Sequence, residues 1–500
     1  MKKLKIYFTS DLHGYVYPTD YIEKDKKNIG LLNIISNLQK DDNTLIIDGG
    51  DTIQGSPFTN FLSGYEFDVH PMADIMNFAG YDYVTLGNHD FNYGKDYLKK
   101  YINNLNGKCL CCNVTSDEIN ILPFDIKTLG NGLKVGIMGF TTDFINRWER
   151  KENIENITIN DTFSSIKKYF DEVKKNSDVI IGVYHGGFEY DLETHIKLSD
   201  TKENIAYKIC KELDFDILLT GHQHIAISGE YLHNTYIVQT PHNATKFIEL
   251  NLEIGENKQI TSSLNDIALN PNKEMYNKFL DIECKVQDWL DTPVGHLDTE
   301  LHPSNHLDMA LNGSDLANFI NQIQLEESNA DISCTSFSNV VKGFDKNVTV
   351  RDVIATYIYP NTLVMKKINK KYLKLYLERC ASYFDTTSKD IKISESFLKP
   401  KVEHYNYDYF SNIHYTFDLT KEVGERVVSI KFKNEELKDD DTLCLVMNNY
   451  RASGAGGYEF LDECETIKEI MVEMPEVIIN YFKNNKNVVV DKSRYLTIIK

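Results

Sequence analysis

The sequence predicts a layered α/β domain followed by a second domain of mixed α and β structure, and three observations carry that prediction. Through the first half, short apolar runs alternate with helix-length amphipathic segments, as strands joined by crossover helices do. Near residue 251 this gives way to a polar, Asn-rich stretch, and after residue 301 a different alternation of helix and strand begins. A chain of 500 residues, 42% of them hydrophobic, also exceeds one ordinary domain, so two cores are expected.

In order along the chain, the apolar runs are residues 4–8, 44–47, 83–86, 134–140, 179–184, 217–219 and 236–238. Residues 29–39, 161–175 and 203–213 carry the helical period between some of them. The runs end in Gly, Asp, Asn and His. A helix-like segment at 273–290 closes the polar stretch, which reads as a link between domains. Beyond it, helices are predicted at 308–325 and 370–381 and strands at 414–419, 427–432 and 443–447. The resulting division is 1–255, a linker with a connecting helix at 256–300, and 301–500.

Composition excludes some functions. A net charge of -20 argues against a nucleic-acid polymer as partner, because neutralising a phosphate backbone takes clustered Lys and Arg. A small anionic substrate stays compatible if a metal supplies positive charge. No run approaches the roughly 20 apolar residues of a membrane span, so no membrane association is expected. The N-terminal "MKKLKIYFTSDLHG" is interrupted by Asp11 too early for a signal peptide and reads as the first strand. Nine scattered cysteines, with Cys109, Cys111 and Cys112 the one cluster, fit a reduced, cytoplasmic chain better than a disulfide framework. Nothing in the sequence points to a protein partner.

Five polar motifs each follow a predicted strand: "SDLHG" with Asp11 and His13, "DGGD" with Asp48 and Asp51, "GNHD" with Asn88, His89 and Asp90, "YHGG" with His185, and "TGHQH" with His222 and His224. Strand exits of a layered α/β domain converge on one edge, so these distant residues can meet. Any one of them alone reads as an ordinary turn. Together, carboxylate, imidazole and amide donors without thiolate compose a site for two divalent cations such as Mn²⁺, Zn²⁺ or Co²⁺.

In these motifs the chain resembles the calcineurin-like dinuclear metallophosphoesterases, whose pattern is D-x-H, GD, GNH(D/E), H and GHxH in that order. The resemblance covers about the first 245 residues and implies a four-layer β-sandwich flanked by helices. It further implies that Asp11, His13 and His224 bind one metal, that Asn88, His185 and His222 bind the other, and that Asp51 bridges them. Catalysis then falls to His89, which assists the leaving group, with Asp90 placed to orient its ring or to cap the following turn. Two cations about 3.5–4 Å apart make hydroxide available at neutral pH for attack on phosphorus.

In the second half, "YNYDYFSNIHYTFDL" and "NNYRASGAGGYEF" set aromatics beside glycine-rich turns. They resemble the base-binding segments of the 5′-nucleotidase C-terminal domain, an α+β domain in which two aromatics sandwich a nucleobase. That resemblance implies substrate contacts from Tyr450, Phe410, Tyr407 and Asn412, with Tyr407, Tyr409 and Phe410 competing for the stacking position. "NHDFNYG", "NNYRASGAGG" and "TSFSN" in place of a "GGIR" segment are similar to the branch with 2′,3′-cyclic-nucleotide 2′-phosphodiesterase and 3′-nucleotidase activity. The expected partner is therefore a 2′,3′-cyclic or 3′-nucleotide. A 5′-nucleotidase or a nucleotide-sugar or dinucleotide hydrolase is the alternative, and a non-catalytic nucleotide sensor is the alternative of a different class. Arg351 and Arg451 are candidates for phosphate contact or for structural anchors.

Overall fold

In the computed structural model the described residues are 2–197, 202–255, 257–359, 361–386, 390–399, 401–470, 472–485 and 488–500. The chain divides into two compact units, Met1–Gln287 and Asp288–Lys500. Every apolar run of the first half contains a strand or lies within one, though of the run 83–86 only Tyr83–Val84 is strand. Lys2–Thr9, Thr44–Asp48, Tyr83–Val84 and Lys108–Leu110 run parallel and consecutive in a seven-stranded sheet. Lys134–Thr141, Val179–His185, Ile217–Thr220 and Thr235–Gln239 do the same in a six-stranded sheet.

The two sheets face each other across one core, in which Leu4, Ile6, Phe8, Leu45 and Ile47 of the first meet Val135, Ile137, Ile181, Val183 and Leu219 of the second. Each such side chain, fully buried, contributes about 1.5–3 kcal/mol. On the outer face of the second sheet, helices Thr162–Asn176 and Ala206–Glu212 bury Ile166, Phe170, Val173 and Ile209 against Met138, Phe140 and Ile180. Parallel neighbours need crossovers. In the first sheet these carry helices Leu31–Ile35, Pro71–Ala79 and Lys95–Asn104, and the core side being occupied, they belong to the outer face. The layered fold expected of the first half is thus present.

Two sequence expectations need correction. Part of the presumed link is sheet: Lys258–Asp266 is the edge strand beside Lys246–Ile254. Its side chains are mostly exposed and only Ile260 and Leu264 pack on the core, so the apolar signal was too weak to read as a strand. Residue 256, where the link was expected to begin, lies outside the described residues. Similarly, the single helix expected at 308–325 is two, His306–Asn312 and Asp315–Ser328. Gly313 takes φ 81° between them and the Ser314 hydroxyl caps the second by accepting from Ala317 N–H.

The second unit contains a five-stranded sheet centred on Thr442–Asn448, and a four-stranded sheet that includes His414–Asp418 and Val427–Phe432. Helix Lys370–Ala381 has the expected bounds. No helix among the described residues is long and apolar enough to cross a membrane.

One buried histidine gives the first unit a pH dependence remote from its chemistry. His70 caps helix Pro71–Ala79, its Nδ1 accepting from Met72 N–H at 3.2 Å. Burial, helped by Lys100, pushes its pKa from 6.5 down to about 3. Between those values the unfolded chain binds a proton that the folded chain refuses, so this group removes stability as pH falls. His70→Asn keeps a capping acceptor and deletes the titration. Urea unfolding at pH 7 and pH 4 is expected to show the wild type losing more than the variant, by on the order of a few kcal/mol.

Candidate active site

All seven residues expected to bind metal lie just past, or at, the carboxyl ends of the parallel strands. Thr9 leads to Asp11 and His13, Asp48 to Asp51, Val84 to Asn88, and Thr220 to His222 and His224, while His185 is the last residue of its own strand. The turns that hold them are unusual. Asp11, His13, Asp51, His222 and His224 all have positive φ, between 47° and 70°. For residues other than glycine this conformation costs on the order of 1–3 kcal/mol each and clusters where function requires it. Glycines allow the loops to close in: a Cβ at Gly87 would sit 2.1 Å from Asp51 Oδ1, and one at Gly221 would sit 2.7 Å from Asp11 Oδ2.

The donor atoms of Asp11, His13 and His224 all lie within 4.8 Å of one another, and so do those of Asp11, Asp51 and His185. His185 Nε2 is 3.1 Å from Asp51 Oδ2, and His224 Nε2 is 3.3 Å from Asp11 Oδ1. Asn88 and His222 also meet, with Asn88 Oδ1 at 2.9 Å from His222 Nδ1. Asp11 belongs to both clusters.

Whether these residues fit cations is decided by where their protons are. His13 Nδ1 donates to the Gln54 carbonyl at 3.1 Å and His185 Nδ1 to the Gly49 carbonyl at 2.8 Å. With those Nδ1 protons fixed, each Nε2 is the nitrogen turned inward, and in a neutral ring it presents the lone pair that a metal-ligating histidine requires. His222 is held the other way round: Nε2 donates to Glu203 Oε1 at 3.0 Å, so its Nδ1 lone pair faces the Asn88 oxygen. Two acceptors face each other there, and His13 Nε2 lies 3.3 Å from His224 Nε2. Inward lone pairs and carboxylates suit divalent cations.

Electrostatics agree. Burial alone would raise the Asp51 carboxyl, yet His185, His89 and His13 around it hold it well below the usual range. Burial likewise opposes ionisation of Asp11, and the His224 contact with the His185 charge overcomes it. Asp48, in the same motif, does not join the cluster. Burial pushes it up to about 7, and it accepts from the Thr9 and Thr52 hydroxyls and Gly50 N–H.

Asp90 does not orient His89. Its two oxygens accept four backbone N–H groups, from Gly87 and Asp51 on one side and Thr52 and Ile53 on the other. Buried, and beside the Asp51 charge, it is pushed up to about 6. It ties the loop of Asn88 and His89 to the loop of Asp51, and Asp51 Oδ1 in turn accepts from His89 N–H at 2.7 Å. The partner of the His89 ring is Asn92, whose Oδ1 lies 2.8 Å from Nδ1. Glu203, Trp148, whose ring stacks on His222 at 5.7 Å, and His242, stacked on His224 at 4.4 Å, escaped the sequence reading. None of the three stands in one of the five motifs.

In the second unit the expected stacking residues are placed elsewhere. Tyr407 and Phe410 are 2% and 3% exposed, inside the core, and Tyr409 is buried too, so no ring from solvent can stack on them. Asn412 is exposed in a turn at φ 65° and donates to the Asp331 carbonyl. Tyr450 is half-buried, and its neighbour is Tyr405, also half-buried, with ring centroids 6.3 Å apart; Tyr359 stands 6.5 Å beyond. Arg451 lies beneath this pair, fully buried. Its Nε donates to Asp408 at 2.6 Å, its guanidinium bonds the Tyr405 and Ala455 carbonyls, and Tyr458 stacks on it at 4.0 Å. Arg351 is likewise an anchor, bonded to Asp291 at 2.8 Å.

Comparison with known proteins matches this division. Residues 4–226 match the calcineurin-like phosphoesterase family and residues 293–463 the 5′-nucleotidase C-terminal domain. A Staphylococcus aureus protein in complex with alpha-ketoglutarate, itself provisionally assigned as a 5′-nucleotidase, superimposes with a TM-score of 0.92 at 32% identity over 100% of both chains. The trifunctional nucleotide phosphoesterase YfkN of Bacillus subtilis is 25% identical over 97% of this chain, which spans only 38% of that protein's length. A 2′,3′-cyclic-nucleotide 2′-phosphodiesterase/3′-nucleotidase of Yersinia enterocolitica is 22% identical over 90% of this chain and 80% of its own. With the cage of inward-facing donors at the strand ends and a separate unit of the nucleotidase type, the chain belongs to the phosphoesterase family that joins a calcineurin-like metallophosphoesterase domain to a 5′-nucleotidase C-terminal domain and hydrolyses nucleotides.

Proposed function

We propose that the protein is a 2′,3′-cyclic-nucleotide 2′-phosphodiesterase with 3′-nucleotidase activity. The observation that carries the reading is the partner of His89: Asn92, an amide, has its Oδ1 2.8 Å from His89 Nδ1, at the position where a resemblance to the 5′-nucleotidase branch would imply an Asp. The "NHDFNYG" and "NNYRASGAGG" segments, and the likeness to YfkN and the Yersinia enzyme, support it.

In this reading Asp11, His13, Asp51, Asn88, His185, His222 and His224 hold two divalent cations, with Mn²⁺ the first to test. When bound, such cations supply ionised water at neutral pH and the positive charge that holds phosphate oxygens. The chain's own residues do the rest. Hydrolysis of the cyclic ester breaks the P–O2′ bond and leaves a 3′-nucleotide. His89 delivers a proton to the departing 2′-oxygen, which would otherwise leave as a poor alkoxide. A second hydrolysis, at the P–O3′ bond, yields nucleoside and phosphate. Tyr450, with the Tyr405 ring edge-on beside it at an interplanar angle of 73°, offers a half-buried ring on which a base can stack, which suits any base.

The test is turnover of metal-stripped, Mn²⁺-reloaded protein on 2′,3′-cyclic AMP, 3′-AMP and 5′-AMP in parallel. Metal-dependent release from the first two supports the proposal. Activity confined to 5′-AMP assigns the protein to the 5′-nucleotidase reading that the Staphylococcus aureus relative favours. Tyr450→Ala is expected to raise KM for the nucleotide by the ~1–3 kcal/mol a base stack is worth, leaving kcat nearly unchanged. Phe410→Ala is expected to lower stability by about 3–5 kcal/mol instead, read from urea unfolding.

A further inference from the structure

We propose that Glu149 is a positioning residue for His89, acting through Asn92. This rests on the reading of His89 given above.

An amide partner poses a problem that a carboxylate does not. A carboxylate presents an acceptor oxygen to a histidine whichever way it turns, whereas an amide flipped by half a turn presents NH₂ instead. With oxygen toward the ring, Nδ1 must carry a proton and Nε2 is left for substrate. With nitrogen toward the ring, Nδ1 must accept, and the ring is fixed in the opposite tautomer. Something has to choose the face of Asn92.

Glu149 makes that choice. Its Oε2 accepts from Asn92 Nδ2 at 2.6 Å, which turns Asn92 Oδ1 to His89. Being acceptor-only, an ionised carboxylate cannot tolerate the flipped amide, whose oxygen would face it. Glu149 is itself held: Oε1 accepts from Arg150 N–H at 2.7 Å and from Asn153 Nδ2 at 2.8 Å, and the same Asn153 amide donates to the Asn92 carbonyl at 3.0 Å. A second observation ties this segment to the site independently. Trp148, the preceding residue, lays its ring on His222 with an interplanar angle of 19°. One short stretch therefore touches both the partner of the candidate acid and a candidate metal ligand.

The arrangement makes a compensation prediction. Glu149→Ala frees the amide to flip, and kcat on the nucleotide that the wild type turns over is expected to fall roughly 10- to 100-fold with KM little changed. Asn92→Asp alone puts two carboxylates where the 2.6 Å contact was and is also expected to lose activity. The double variant Asn92→Asp/Glu149→Gln restores one acceptor toward His89 and one donor behind it, and is expected to recover most of the loss. The second readout does not depend on turnover. In metal-free protein, ¹⁵N imidazole spectra at a pH where the ring is neutral are expected to show His89 with its proton on Nδ1 in the wild type and the double variant, and as mixed tautomers in Glu149→Ala. An unchanged His89 tautomer in Glu149→Ala, or a double variant no better than the product of its singles, overturns the proposal. A His89→Ala protein with wild-type turnover would sink the role given to His89, and the spectra would still decide whether Glu149 sets its tautomer.

Discussion

Asp51→Asn is expected to abolish metal-dependent turnover of 2′,3′-cyclic AMP, by on the order of 10³-fold or more, since the charge stabilisation that a bound cation supplies to phosphoryl transfer is worth several kcal/mol. The change is nearly isosteric. It leaves the fold of the loop alone, because Asn adopts positive φ as readily as Asp and the Oδ1 that accepts from His89 N–H survives. What it removes is the negative charge shared with His185 at 3.1 Å and His13 at 4.0 Å. Metal binding should weaken along with turnover. The chain provides its own probe, for it has two tryptophans, and one of them, Trp148, stacks on His222. Mn²⁺ is expected to quench Trp148 emission in the wild type. The quench should shift to higher metal concentration in Asp51→Asn and vanish in Trp148→Phe. Full turnover and unchanged quenching in Asp51→Asn would remove Asp51 from the proposed centre.

His89→Ala should separate chemistry from metal binding. The variant is expected to lose about 10²–10⁴-fold in kcat on cyclic AMP, the range typical of general acid catalysis, while the Mn²⁺ quench stays at its wild-type position. The loss should depend on the leaving group. A ribose oxygen departs badly without a proton and p-nitrophenolate departs well, so bis(p-nitrophenyl) phosphate should suffer far less. An equal loss on both substrates would assign His89 to holding the phosphate rather than to protonating the oxygen that leaves.

How legible the molecule was depended on whether a residue's role is written in local pattern. The buried strands were readable because both of their faces are apolar, and the site loops because each compresses several donors into three to five residues at a strand end. The edge strand Lys258–Asp266 was not, since water covers most of it. Tyr405 was passed over for Tyr407 and Phe410 because all three are aromatic, and only packing shows that the chain buries two and leaves one beside Tyr450. Glu149 and Glu203 gave no local signal. Each serves a histidine far off in sequence, 57 residues beyond Asn92 in one case and 19 before His222 in the other.

The five left-handed residues also bear on how the site can change by descent. At Asp11, His13, Asp51, His222 and His224 a replacement must satisfy the backbone before its side chain is tested at all. Valine, isoleucine and threonine are the most strongly disfavoured on that ground, whatever they could ligate, and the four best tolerated are glycine, asparagine, aspartate and histidine. Three of those four carry metal-binding side chains. Lineages drifting at these positions therefore sample mostly other donor sets, and are steered toward exchanging one cation for another before losing the centre altogether. A saturation scan of codon 224, grown on several metals, would expose that bias as survivors confined to a few residues, with their ranking changed by the ion supplied.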